Sequence, residues 1–214
     1  MLHPARLSLL ALALAALLVA GCGGSSSSSK KPAAVTSGTK AKAVKLAAPE
    51  QADPPIPAAD FTLRSSTGEK VSLSDFRGKA VMLLFIYDHC PDVCPLMVSN
   101  LHNAMLQMGP AKAKQMQIIA VSVDPKGDTP KTVAQFLAAH DMTGRMKYLI
   151  GSKRELAPVW KKYGVQVEAT PDQREVGHSA FVYGITASGK ELALYPANFK
   201  PQWVVHDVPL LATS

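Results

Sequence analysis

Two unbroken apolar runs dominate the pattern of the chain. "AVMLLFIY" (80–87) and "QIIAVSVD" (117–124) have strand length and lack the alternation of a half-buried strand, so both read as central strands covered on both faces. Between them, Met97, Leu101, Met105 and Met108 recur at helical spacing, and Gly109-Pro110 stops that helix. Before them, "DFTLRSSTGEKVSLSDFRGK" (60–79) reads as strand, turn, short strand and a helical turn capped by Ser74. After them come a helix capped by Thr129 with Pro130 at its first position, a short strand "KYLIG" (147–151), and a helix capped by Ser152 with Pro158 straining its middle. A polar loop (165–177) leads to the strand "HSAFVYGIT" (178–186). "SGK" turns it into "ELALYP" (191–196), and a last helix from Lys200 is interrupted by Pro209.

Alternating strands and helices imply an α/β domain, a central mixed sheet with helices on both faces. A β-α-β start and a terminal β-β-α make it thioredoxin-like, with the first hairpin and the helix after "SVD" as additions.

The N-terminal quarter of the chain has a different pattern. A short basic start (His3, Arg6) precedes "LSLLALALAALLVAG" (7–21), a run of signal-peptide length and short for a membrane span. Small residues before Cys22 resemble a bacterial lipobox, in which the cysteine is lipidated. An ordinary signal cut near Cys22 or an uncleaved anchor are the other readings. Residues 22–53, rich in Ser, Ala, Lys and Gly, cannot bury a core and read as a flexible tether. Thirty such residues reach roughly 30 Å. The domain then occupies 54–214, a comfortable size for one core.

Net charge is +7, but much of it lies on tether lysines, and the domain mixes both signs. Nucleic acid is therefore not an expected partner. The lysines suit anionic lipid headgroups or solvation.

The chain has three cysteines, an odd count for an exported protein. Lipidation of Cys22 would leave Cys90 and Cys94 as one pair, in "FIYDHCPDVCPLM" (85–97), where the central strand gives way to the helix. Helix N-termini stabilise thiolates, and Pro91 and Pro95 stiffen the turn. Three intervening residues, against two in thioredoxins, put the sulfurs on one helical face with Cα atoms about 6 Å apart, so a disulfide is feasible. Two thiolates on one face are also half of a soft-metal site. Redox dithiol, metal clamp and structural disulfide all remain open on these residues alone.

A third ligand would have to be a histidine. His3 leaves with the signal. His102, His140 and His206 lie on predicted helices and read as surface or packing residues, and the side chain of His89 should point away from a metal on adjacent Cys90. His178 begins the strand after the polar loop, where a thioredoxin-like fold faces the cysteines; taken alone it could be a hydrogen-bonded loop residue, and beside the cysteines it reads as the third ligand. A peroxidase of this fold is disfavoured, because Tyr87 stands where peroxiredoxins place threonine.

"FIYDHCPDVCP", "VSVDPKGDTP" and "VGHSAFVYGI" together resemble the signature segments of the SCO/SenC family of copper-binding, thioredoxin-fold proteins, in order and spacing from about Phe61 to Leu211. The resemblance implies copper held by Cys90, Cys94 and His178. It implies a role in assembling the binuclear copper site of cytochrome c oxidase, whose copper-receiving subunit would be the partner. In some members that role runs through thiol–disulfide reduction, with Cys90 and Cys94 as the redox pair. Asp124 matches a family acidic position near the metal; a turn carboxylate is its alternative reading. With a lipobox, the protein would be exported and lipid-anchored to the outer face of the bacterial cytoplasmic membrane. Asp88, where the family usually has threonine, and Gly177, where it often has an acid, depart from the pattern.

Overall fold

The structure is a computed structural model that describes residues 45–169, 176–178 and 180–214. The expected signal segment, Cys22 and the tether up to residue 44 lie outside the described residues. Among the described residues, ten strands form: β1 (Glu50–Pro57), β2 (Thr62–Ser65), β3 (Lys70–Ser72), β4 (Ala80–Ile86), β5 (Met116–Ser122), β6 (Met146–Ile150), β7 (Val167–Ala169), β8 (Val176–His178), β9 (Phe181–Ile185) and β10 (Lys190–Pro196). The helices are α1 (Val93–Ala113), α2 (Pro130–Ala139), α3 (Lys153–Lys162) and α4 (Pro201–Leu211).

Eight strands make one sheet in the order β1-β10-β9-β4-β5-β6-β2-β3, and β7 pairs with β8 apart from it. β4 sits at its centre, parallel to β5 and antiparallel to β9, and all its residues are buried, as a continuous apolar run requires. Strand parity divides the helices between the two faces. Phe85 points its ring at Tyr163, just past α3, and at Tyr183. On the other face, a Cβ built on Gly184 would meet Leu211 of α4, and α4 packs on α1. Tyr148, registered with Ala120 one residue out of phase with Val121, meets Phe136 of α2 on that same face. The sheet is thus mixed, thioredoxin-like and covered on both sides.

The methionine stripe is core: Met97, Leu101 and Met108 are buried and Met105 packs beside them. Gly109 leaves helical geometry at φ 70°, a conformation glycine adopts without Cβ strain. One further turn, from Pro110, follows before Lys114.

Four details differ from the sequence reading. Ser72, not Ser74, precedes the short 3-10 turn at Leu73–Phe76; its N–H donates to Asp75, which closes the turn. Residues 46–53, given to the tether for their composition, belong to the folded part: Leu46 and Ala48 are buried, and β1 pairs with β10. The polar loop contains β7 and β8. Pro209 does not interrupt α4, which runs on to Leu211. Among the described residues, no helix is long and apolar enough to cross a membrane.

Candidate metal centre

β4 delivers the chain into a short loop that carries Cys90, and α1 begins at Val93 with Asp92 as its cap. Asp92 accepts the N–H of Val93. The next N–H, that of Cys94, donates to Cys90 Sγ at 3.4 Å. Cys90 therefore serves as a second cap, since the first helical N–H groups have no partner within the helix. Pro95 follows where a missing N–H costs nothing. Both cysteines are buried, Cys94 fully, and neither forms a disulfide.

Their environments push them apart. The Cys90 thiol is lowered to about 6, chiefly by the hydrogen bond from the Cys94 thiol. The backbone N–H groups of Cys94 and Asp92 and the Tyr87 hydroxyl add to this, against the opposing effect of burial. Cys94 moves strongly upward, first because its proton is held against Cys90 and then by burial. Such a pair holds one proton between two sulfurs, with the charge on Cys90.

The neighbouring loop comes from β5. Because β4 and β5 are parallel and Ile86 is registered with Ser122, the segments after them run side by side. Asp128, on the second loop, accepts the N–H of Asp88 at 2.9 Å and the Tyr148 hydroxyl at 2.9 Å. Burial, aided by the Asp88 charge, raises Asp128 to about 7. Asp124 accepts the N–H of Lys126 at 3.0 Å, the turn bond expected of its plainer reading. Its other oxygen lies 3.4 Å from His89 Nε2, while His89 Nδ1 lies 2.9 Å from Asp88.

His178 is described by its backbone alone. It ends β8, registered with Val167, shortly before β9. β9 starts beside the end of β4, with Val182 opposite Leu84, so this segment arrives at the sheet end where the cysteines lie. His102 and His140 lie on or at the end of helices, His140 against Phe136, and His206 contacts Asp207.

Asp128 and Tyr148 escaped the sequence reading. "SVDPKGDTP" offered two acids, but only a parallel register between the two apolar runs would have set the second beside Asp88. That end of a parallel pair, outside the carboxyl ends of its strands, is where open α/β sheets bind ligands.

Comparison with known proteins agrees with this geometry. The mitochondrial SCO2 homologue of Bos taurus is 31% identical over 135 residues, 61% of this chain and 50% of its own length. The chain thus spans about half the length of the curated relatives it matches. The copper-bound ScoI of Bradyrhizobium japonicum superposes with a TM-score of 0.62 at 29% identity, covering 73% of this chain and 99% of that one. BsSco, described as a member of the Sco family of cytochrome c oxidase assembly proteins and identified with a disulfide switch, superposes with a TM-score of 0.62 at 26% identity, covering 74% and 95%. The SCO1/SenC family model matches residues 49–212, and with the paired cysteines at the head of α1 it settles the kinship: the chain belongs to the SCO1/SenC family.

Proposed function

We propose that the protein is a copper chaperone that takes copper on Cys90, Cys94 and His178 and hands it to the copper-receiving subunit of cytochrome c oxidase. The observation that carries this reading is the pair of neighbouring sulfurs at the start of α1, where the N–H of Cys94 donates to Cys90 Sγ at 3.4 Å and the Cys90 thiol is lowered to about 6. Copper favours soft sulfur donors, with imidazole as a suitable third. The copper-bound Bradyrhizobium japonicum protein and the oxidase-assembly description of BsSco support it. Cys22 would carry lipid after export and hold the domain at the outer face of the bacterial cytoplasmic membrane.

A second reading rests on the divergence of the two thiols. A low Cys90 and a high Cys94 suit an attacking thiolate and a resolving thiol. Cys90 would attack a target disulfide to form a mixed disulfide. Cys94 would then attack Cys90 Sγ, releasing the target as dithiol and leaving the Cys90–Cys94 disulfide.

Copper content of the reduced chain decides between them. One copper per chain, lost in Cys90→Ser, Cys94→Ser and His178→Ala, is the chaperone's result. No bound copper, together with a disulfide that cycles readily, belongs to the reductase. Oxidase assembly that survives Cys94→Ser is incompatible with both.

A further inference from the structure

We propose that Asp88, His89 and Asp128 form a second cation site beside the sulfur pair, suited to a divalent ion such as zinc that takes carboxylate oxygen and imidazole nitrogen. One donor atom from each of the three lies within 4.8 Å of the others. The Asp88 side chain is only 6% exposed, and its Oδ2 is buried with no hydrogen-bond partner. A buried carboxylate oxygen left unpartnered costs more free energy than almost any other polar atom. A cation among these donors removes that cost.

The histidine strengthens the case. His89 stands between two carboxylates, with Nδ1 at 2.9 Å from Asp88 Oδ1 and Nε2 at 3.4 Å from Asp124 Oδ2. The Nδ1–Asp88 contact is within hydrogen-bond distance. An ion held by Asp88 and Asp128 would take the Nδ1 lone pair in place of that bond, and Asp124 would then be the carboxylate behind a metal-bound histidine, a common way of fixing ring orientation. Asp128 accepts the Asp88 N–H, the Tyr148 hydroxyl and the Ser122 hydroxyl, which leaves one of its about four lone pairs for an ion. Among the described residues, the ion pairs of Asp88 and Asp124 are both with His89 and none is with Lys or Arg, so three carboxylates face one imidazole. His89 is 42% exposed, which gives an ion a route in from solvent. The donor set contains no sulfur and so selects a different ion from the thiolate pair.

The site can be tested without the sulfur chemistry. The chain, stripped of metal and with Cys90 and Cys94 oxidised to a disulfide, is titrated with Zn2+ by calorimetry. One zinc per chain is expected, weakened at least about tenfold by Asp88→Asn, a change that preserves shape, and similarly by Asp128→Asn. His178→Ala should leave the affinity unchanged. In 15N spectra, zinc should move the Nδ1 resonance of His89. The proposal is overturned by zinc affinity unchanged in Asp88→Asn, by binding lost in His178→Ala, by no binding, or by an Nδ1 resonance that zinc leaves in place. Oxidised sulfurs take no part in this titration, so its failure leaves the copper reading standing, and failure of the copper reading leaves this one standing.

Discussion

The backbone N–H of Cys94 donates to the Sγ of Cys90 at 3.4 Å, and the Cys94 thiol donates to the same sulfur. The second cysteine of the motif thus does two things to the first. It offers the unpaired N–H of a helix start, and it keeps its own proton so that Cys90 can lose one. Three intervening residues make both contacts local to one turn.

The first prediction concerns thiol reactivity in the reduced, metal-free chain. Only the thiolate attacks iodoacetamide, so the alkylation rate of Cys90 should rise with pH to a midpoint near 6, where an ordinary thiol turns over near 9. Cys94→Ala removes the largest cause of that shift and should carry the midpoint upward while the backbone donors keep it below 9. A wild-type midpoint near 9 would mean that the pair does not share its proton. Peptide mapping of the alkylated site reads the outcome.

A second prediction addresses the N-terminal border of the fold. Asp207 in α4 is fully buried and accepts the N–H groups of Ala47 and Ala48 and the hydroxyl of Tyr195, the last two at 2.9 Å. Asp207→Ala leaves those donors without an acceptor. Hydrogen bonds to a charged group contribute about 1.5–3 kcal/mol each, and the loosened segment will recover part of the loss in water, so a cost of about 2–4 kcal/mol is expected. Urea unfolding measures the total. Amide exchange at 46–53 should quicken well beyond exchange in β4; equal protection of both would show that Asp207 does not hold the segment.

The failures of the sequence reading share a physical cause. β4 and β5 were legible because burial on both faces leaves an unbroken apolar run, and α1 because its stripe is written at one helical period. The cysteine pair was legible because four positions of separation is a local fact. β1 was not: "EQADPPIP" is mostly exposed and proline-rich, and what holds it is pairing with β10, while an aspartate some 160 positions away holds Ala47 and Ala48 just before it. The Asp88–Asp128 contact is likewise a product of parallel register, which no single segment encodes. Pro209 misled because its cost falls on one hydrogen bond, while Val204, Val208 and Leu211 are all buried on the helix.

The third prediction tests how tightly the second loop fits the first. A Cβ on Gly127 would overlap Asp124 Oδ2 and stand 2.7 Å from His89 Cε1. Both overlaps are with the ends of side chains and not with backbone, and the Asp124 carboxylate and His89 ring must both shift, so Gly127→Ala should fold at a cost of about 1–2 kcal/mol, within the usual range for overpacking. Gly151→Ala is the comparison: its Cβ comes no nearer than 3.3 Å to any atom, that atom being on Glu155, and its cost should be distinctly smaller. Equal urea midpoints for the two variants would show that the loop yields freely and that the His89–Asp124 approach is not built into it.

The last prediction takes its sign from Asp128. Burial raises its folded value from 3.8 to about 7, so between those values the native chain holds a proton that the unfolded chain has released. Stability must then fall as pH rises through this window, with the contribution intact below about 4 and lost by about 7, at up to about 1.4 kcal/mol per pH unit. Cys90 works in the opposite direction, but only between about 6 and 9, since its folded value lies below its unfolded one. The interval free of Cys90 is therefore about pH 4.5–6, where Asp128 contributes a decline of about 2 kcal/mol. Glu191, also raised by burial, acts with the same sign but is present in both chains of the comparison. Asp128→Asn keeps an acceptor and cannot ionise. With chelator present, its stability across that interval should fall less steeply than wild type by about 2 kcal/mol, and it should overtake wild type as pH approaches 7. Parallel slopes in urea titrations would place the proton elsewhere and return Asp128 to an ordinary ionised carboxylate.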